Sequence, residues 1–208
     1  MNLTSTTFAA DQPIPDSSGF GKPDPETRFT FSSNRNPQLA WSDVPEGCKS
    51  FVLFCIDRDV PTKPDDVNQE GRTVPASLPR TEFTHWVMVD IPASCTSIDE
   101  AACSSEVTPG GKSAPDGPGE ARQGVNDFTA WFAGDENMGG TYLGYDGPAP
   151  PWNDEIIHHY TFTVCATDLD RCPVEGDFTT ADVRAAIEGH VLAEASITGT
   201  YTMNPDLR

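Results

Sequence analysis

The stretch Phe51-Val52-Leu53-Phe54-Cys55-Ile56 is apolar at every position and runs straight into Asp57-Arg58-Asp59-Val60-Pro61. Successive residues of a strand face opposite sides of a sheet, so a run with no polar member predicts a strand buried on both faces. That reading points to the fold class: mainly β, a β-sandwich with this strand inside it. The abrupt change to charge then places two carboxylates at a strand end, not on an open face.

Working outward, Thr84 to Ile91 and His158 to Thr167 mix β-branched and aromatic residues as strands do, and Ile197 to Met203 closes the chain in Thr/Tyr-rich alternation. Arg28 to Ser32 alternates weakly, and Phe128 to Ala133 is a sixth, weaker strand candidate. One short helix is expected near the C-terminus, from about Ala181 to Leu192. Thr179 can cap it with Asp182 three residues on, and Val183, Ala186, Ile187 and Val191 share a face. Long Pro/Gly-rich loops separate the strands at Val60 to Pro79, Thr108 to Gly124 and Gly134 to Asn153. Loops of that length in a compact domain tend to carry function or to be disordered.

With 208 residues the chain suits a single domain spanning 1–208. Its net charge of -19, with only 13 Lys and Arg, argues against nucleic acid or an anionic membrane surface as a bulk partner, because phosphate binding needs clustered cations. The opening residues, MNLTSTTFAADQPIP, have neither a basic start nor an apolar run of signal-peptide length, and no stretch is long enough to span a membrane. A cytoplasmic location and reduced thiols are therefore expected. Cys48, Cys55, Cys95, Cys103, Cys165 and Cys172 form no C-x-x-C pair, although their short spacings would allow hairpin-closing disulfides in an oxidising compartment.

The chemistry concentrates at strand ends. Phe83-Thr84-His85-Trp86 opens one strand, and His158-His159-Tyr160 opens another shortly after Gly147-Pro148-Ala149-Pro150-Pro151. Alternation puts His158, Tyr160, Phe162 and Val164 on one face, and His85 on a face with Phe83, Val87 and Val89. If both strands run antiparallel to the one ending at Asp57, then Asp57, Asp59, His85, His158 and Tyr160 gather at one rim.

Three chemistries could use that cluster. His with Asp can bind zinc or iron, but no H-E-x-x-H or facial-triad spacing is present, so neither metal nor cofactor is assigned. A carboxylate-oriented imidazole can move protons in a hydrolase, but there is no G-x-S-x-G and no cysteine beside a histidine, so no catalytic residue is assigned. The third is a pocket for a small anion or phosphate headgroup, with donors from histidine N–H groups, the Tyr160 hydroxyl and loop backbone. Taken singly, each histidine reads better as a satisfied core residue and each aspartate as a turn or cap residue. Their gathering at neighbouring strand ends favours the pocket.

These segments resemble the phosphatidylethanolamine-binding protein family, in particular its bacterial, Raf-kinase-inhibitor-like members. The family's D-P-D-A-P followed by H-W is matched by Asp57-Arg58-Asp59-Val60-Pro61 and His85-Trp86. Its G-x-x-P-P followed by H-R-Y is matched by Gly147-Pro148-Ala149-Pro150-Pro151 and His158-His159-Tyr160. Ala121-Arg122-Gln123-Gly124 to Asn126-Asp127-Phe128 is similar to the bacterial pattern as well. Arg58 and His159 depart from the family's usual proline and arginine, and the Thr62 to Glu82 loop is longer than is typical.

The resemblance implies a β-sandwich with Greek-key connections and an end pocket for phosphate-like anions or a phosphoethanolamine headgroup. Asp57, Asp59, His85, His158 and Tyr160 would line that pocket, while Pro61, Gly147, Pro148 and Pro151 would shape its loops. It also implies a binding or inhibitory protein rather than an enzyme. The leading expectation is thus a non-catalytic binding protein for a small anionic or phospholipid-headgroup ligand. Second is a kinase- or protease-inhibitor-like scaffold for a protein partner, and third an acid/base hydrolase. Ordinary histidines would make anion binding strengthen as pH falls through about 6.5.

Overall fold

The computed structural model describes residues 1–113, 115 and 117–208. Ala114 and Asp116, inside the expected Thr108 to Gly124 loop, lie outside the described residues. The strands are β1 (Asn2–Thr4), β2 (Gly21–Lys22), β3 (Thr30–Phe31), β4 (Leu39–Ser42), β5 (Ser50–Pro61), β6 (Arg80–Pro92), β7 (Ser97–Ile98), β8 (Arg122–Gln123), β9 (His158–Thr167) and β10 (Val191–Tyr201). Helix α1 (Phe128–Trp131) follows β8, and α2 (Thr180–Ala186) precedes β10. The chain is mainly β. A five-stranded sheet has the order β10-β9-β5-β6-β8, a three-stranded sheet β1-β4-β7, and β2 pairs with β3; every one of these strand pairings is antiparallel.

Strand β5 is central and buried from Ser50 through Asp57. Phe51, Leu53 and Cys55 join a core that also holds Leu3, Leu39, Trp41 and Ile98 of the three-stranded sheet. Val52, Phe54 and Ile56 point the other way, onto Phe178, Val183 and Ile187 around α2. An unbroken apolar run was required because both faces of this strand are covered. Burial of each such side chain contributes roughly 1.5–3 kcal/mol.

Strand β9 coincides with the expected His158 to Thr167, β5 and β6 extend beyond the expected runs at both ends, and β10 begins earlier than expected, at Val191, but ends at Tyr201, short of the expected Met203. The expected Arg28 to Ser32 strand contracts to Thr30–Phe31. The expected strand at Phe128 to Ala133 is instead α1, because Phe128, Trp131 and Phe132 recur at helical spacing. Trp131 N–H donates to the Asp127 carbonyl at 3.0 Å and Phe132 N–H to the Phe128 carbonyl at 2.9 Å. Helix α2 has the expected capping box between Thr179 and Asp182, but it stops at Ala186. Val191 then begins an edge strand, half-exposed, instead of sharing the helix face. No helix among the described residues is long and apolar enough to cross a membrane.

Candidate functional site

Antiparallel pairing on both sides of β5 brings three strand ends together, with Asp57 directly opposite Tyr160 of β9 and Phe83 of β6. Two irregularities then aim the side chains. Ile56 pairs with Thr84 but Cys55 with Trp86, so His85 is an extra residue bulged out of β6. His85 keeps to the face of Phe83, but the bulge swings Val87 and Val89 to the opposite core, which corrects the strict alternation expected for them. A second slip lies between Asp57 and Val60.

The result is a cavity of about 220 Å³ with a polar floor of Asp57, His85, His158 and Tyr160. Its walls come from Phe20, Phe29, Phe31 and Phe83, from Phe128 and Trp131 of α1 with the adjoining Phe132, and from Pro61, Pro150 and Pro151. No lysine, arginine, serine, threonine or cysteine lines it among the described residues.

Six of the nine expected site residues therefore meet around one space: Asp57, Pro61, His85, Pro151, His158 and Tyr160. Asp59 does not. The slip after Asp57 turns Val60 to the cavity, and the Asp59 carboxylate instead accepts from His159, from the backbone N–H at 2.9 Å and Nδ1 at 2.8 Å. Gly147 and Pro148 act from behind the wall. The Pro148 carbonyl accepts from Phe20 N–H at 2.9 Å, fixing that wall residue. Gly147 N–H donates to Asn34 Oδ1 at 2.9 Å, and a Cβ there would stand 1.9 Å from the Ser18 carbonyl oxygen, so only glycine fits.

On the floor, His158 is fully engaged. Its Nδ1 bonds Asp57 Oδ2 at 2.7 Å and its Nε2 bonds Asp154 Oδ2 at 3.1 Å. Asp154 is gripped from its other side by Arg80, whose Nη1 and Nη2 donate to Oδ2 at 2.6 Å and Oδ1 at 2.9 Å. Burial disfavours the imidazolium, but the Asp57 charge and the two carboxylate hydrogen bonds outweigh it and push His158 up to about 9. His158 and Arg80 hold Asp154 below the ordinary carboxylate value against its own burial. Arg80, Asp154, His158 and Asp57 thus form a chain whose charges cancel in alternation. Tyr160 hydrogen-bonds Asp57, and burial beside that carboxylate keeps its phenol protonated.

His85 is the opposite case. Its ring packs against Phe83, Tyr160 and Phe128, with centroids 4.9, 5.0 and 5.6 Å away. Nδ1 lies 2.7 Å from the Asp146 carbonyl, which can only accept, so Nδ1 carries the proton. Burial pushes His85 below its usual value despite nearby carboxylates. It is neutral at pH 7. One histidine thus stays protonated well above pH 6.5 and the other loses its proton below it, so the pH dependence expected of anion binding falls to His85 alone.

Sequence reading missed Asp154, Arg80, Asp146 and the aromatic wall. Asp146 is buried, and Asn34, Lys112 and Asn126 donate to it at 2.7, 2.8 and 2.8 Å; this knot holds the carbonyl that orients His85. Only the Phe128-x-x-Trp131-Phe132 spacing offered a usable signal.

Fold and site together define a β-rich protein with a polar-floored, aromatic-walled cavity at one end of its main sheet. Residues 4–202 match the family model described as phosphatidylethanolamine-binding protein, and the chain belongs to that family. It is 35% identical over 169 residues to YbhB of Escherichia coli strain K12, covering 81% of this chain and 82% of that protein. It is 35% identical over 178 residues to a Methanothermobacter thermautotrophicus protein, covering 84% and 88%. Among solved structures it is similar to Escherichia coli YbcL, described as a new member of the mammalian family, with TM-score 0.66, 27% identity and 97% of both chains covered. A Chlamydia trachomatis homologue described as a putative phosphatidylethanolamine-binding protein gives TM-score 0.65 at 25% identity, covering 96% of this chain and 95% of that one.

Proposed function

We propose that this chain is a single-domain β-sandwich binding protein whose cavity receives the polar head of a small ligand, a phosphate-like anion or a phospholipid headgroup of the phosphoethanolamine kind, without turnover. Asp57, His85, His158 and Tyr160 contact the head, while Pro61 and Pro151 bound it and Gly147 and Pro148 hold the loop behind. The observation that carries this reading is the polar floor under an apolar wall, the pattern of a preformed small-molecule site.

The absence of turnover is supported by the floor's chemistry. His158 has both ring nitrogens committed to carboxylates, and no hydroxyl or thiol of serine, threonine or cysteine lines the cavity among the described residues. Calorimetric titration of the full chain with O-phosphoethanolamine tests the proposal. Saturable one-to-one binding that Phe83→Arg blocks is expected; no heat at millimolar ligand, or heat unchanged in that variant, overturns it.

A further inference from the structure

Strand β10 is the long edge of the main sheet. It runs 11 residues with β9 on one side, whereas β8 at the opposite edge has two. Its C-terminal end is covered: Asp11 N–H donates to the Thr198 carbonyl at 2.7 Å, Ile14 N–H to the Thr200 carbonyl at 2.8 Å, and Thr200 N–H to the Gln12 carbonyl at 3.0 Å. Those bonds fix which backbone groups face away from β9, because outward groups recur at every second residue of an antiparallel strand. The register with β9 is unbroken from Ala193 to Tyr201, so the N–H and C=O of Glu194 and Ser196 face outward as well. Neither residue's backbone has an outward partner among the described residues. Proteins usually shield such an edge with proline, with lysine or by keeping it short, and β10 does none of these.

Charge decides what can lie there. Glu194 and Ser196 line a groove on the outer face of the sheet together with Glu188, Arg58 and Arg184, and both arginines donate to Glu82, at 3.0 and 2.7 Å. Glu188 and Glu194 are exposed and have no ion-pair partner among the described residues, so the charge left over along this edge is negative. A second copy of the chain would bring the same glutamates against these, under a net charge of -19 on each copy. That repels self-pairing and attracts a cationic strand. On the opposite face Ala195 packs on the core shared with the three-stranded sheet, and Leu192, 42% exposed, ends the open edge. We infer that residues 192–196 of β10 bind an extended segment of a partner protein, through backbone hydrogen bonds to Glu194 and Ser196, in which lysine or arginine alternates with small apolar residues. Side chains opposite Glu194 and Ser196 lie on the same face as theirs, where the basic ones meet Glu188 and Glu194; the intervening ones lie on the face of Ala195. No residue of β10 lines the cavity of the proposed function, so the two sites are independent.

The test is fluorescence anisotropy of labelled peptides added to the full chain at low salt: Lys-Val-Lys-Val-Lys-Val-Lys, the same peptide with its central valine replaced by proline, and Glu-Val-Glu-Val-Glu-Val-Glu. Expected is saturable binding of the first, at least fivefold weaker binding of the proline peptide, which lacks a backbone donor, and none of the glutamate peptide. Hydrogen exchange should show the Glu194 and Ser196 amides slowed at least tenfold by the first peptide. Glu194 is exposed, so Glu194→Lys should melt as the wild type does and bind the first peptide at least threefold more weakly. Equal binding of the two lysine peptides, binding of the glutamate peptide, or binding that leaves those two amides exchanging freely overturns the inference, as does no binding of the first peptide. Protection of the same amides in the peptide-free protein, together with a dimer in sedimentation, assigns the edge to a second copy and overturns it as well.

Discussion

Asp57 Oδ2 and His158 Nδ1 lie 2.7 Å apart with both side chains no more than 2% exposed. A buried charge pair of this kind persists because the remaining polar atoms of both side chains have partners: the Asp59 N–H donates to Asp57 Oδ1, Asp154 takes the other imidazole nitrogen, and Arg80 in turn holds Asp154.

Stability should therefore fall in mild alkali. Asp57 and Asp154 face His158 from neighbouring segments, Arg80 lies beyond Asp154, and His158 holds its proton up to about 9 in the folded chain. Its folded value exceeds the unfolded one, so the stabilisation is fully present below about pH 6.5 and disappears as pH rises through the folded value. A shift of this size corresponds to on the order of 3 kcal/mol, or roughly 6–12 °C in Tm for a chain of this length. Thermal melts from pH 6 to 10 should show that loss in the wild type and a much flatter profile in His158→Gln.

Arg80 anchors more than a charge. Its guanidinium also donates to the Asp59 carbonyl at 2.9 Å and the Pro75 carbonyl at 3.0 Å, tying the 62–79 loop to the floor. Arg80→Met leaves Asp154 buried beside His158 alone and should destabilise by about 3–5 kcal/mol. Arg80→Lys keeps the charge without the two-pronged geometry and should recover only part of it. Urea unfolding of the three proteins measures both effects.

The long strands were legible because their patterns are physical necessities: FVLFCI has covered faces on both sides, and His158 to Thr167 lies between two neighbours. Strands of two to four residues, such as β7 and β8, carry too little pattern to read. The site was legible where motifs sit at strand ends. It was not where β-bulges decide facing, as for Asp59 and Val87, nor where partners come from loops, as Asp154 and Asp146 do. Phe128 to Ala133 misled because a short aromatic run suits strand or helix until its spacing is weighed.

Gly147 should prove irreplaceable. A methyl group there collides with the Ser18 carbonyl, and that backbone cannot retreat without disturbing the Tyr145 hydroxyl bond to the same oxygen at 2.7 Å. Gly147→Ala should destabilise by about 1–3 kcal/mol, the range for overpacking. Displacing Asp146 also releases His85 Nδ1, so the variant should lose ligand affinity beyond its stability loss. Melting temperature and calorimetric affinity, measured together, separate the two.

Proton uptake should accompany phosphate binding. His85 faces Phe83 on its own strand, Phe128 of α1 and Tyr160 of β9, with the charges of Asp57, Asp127 and Asp146 nearby. Burial lowers its pKa, so Nε2 gains a proton only below about pH 6.5, the ordinary histidine value. Inorganic phosphate needs that proton as a donor, and its affinity should rise as pH falls from 7 to 5, with protons taken up on binding. Titrations in buffers of different ionisation enthalpy report the proton count directly. A flat pH profile, or a profile unchanged in His85→Gln, would show that His85 does not govern recognition.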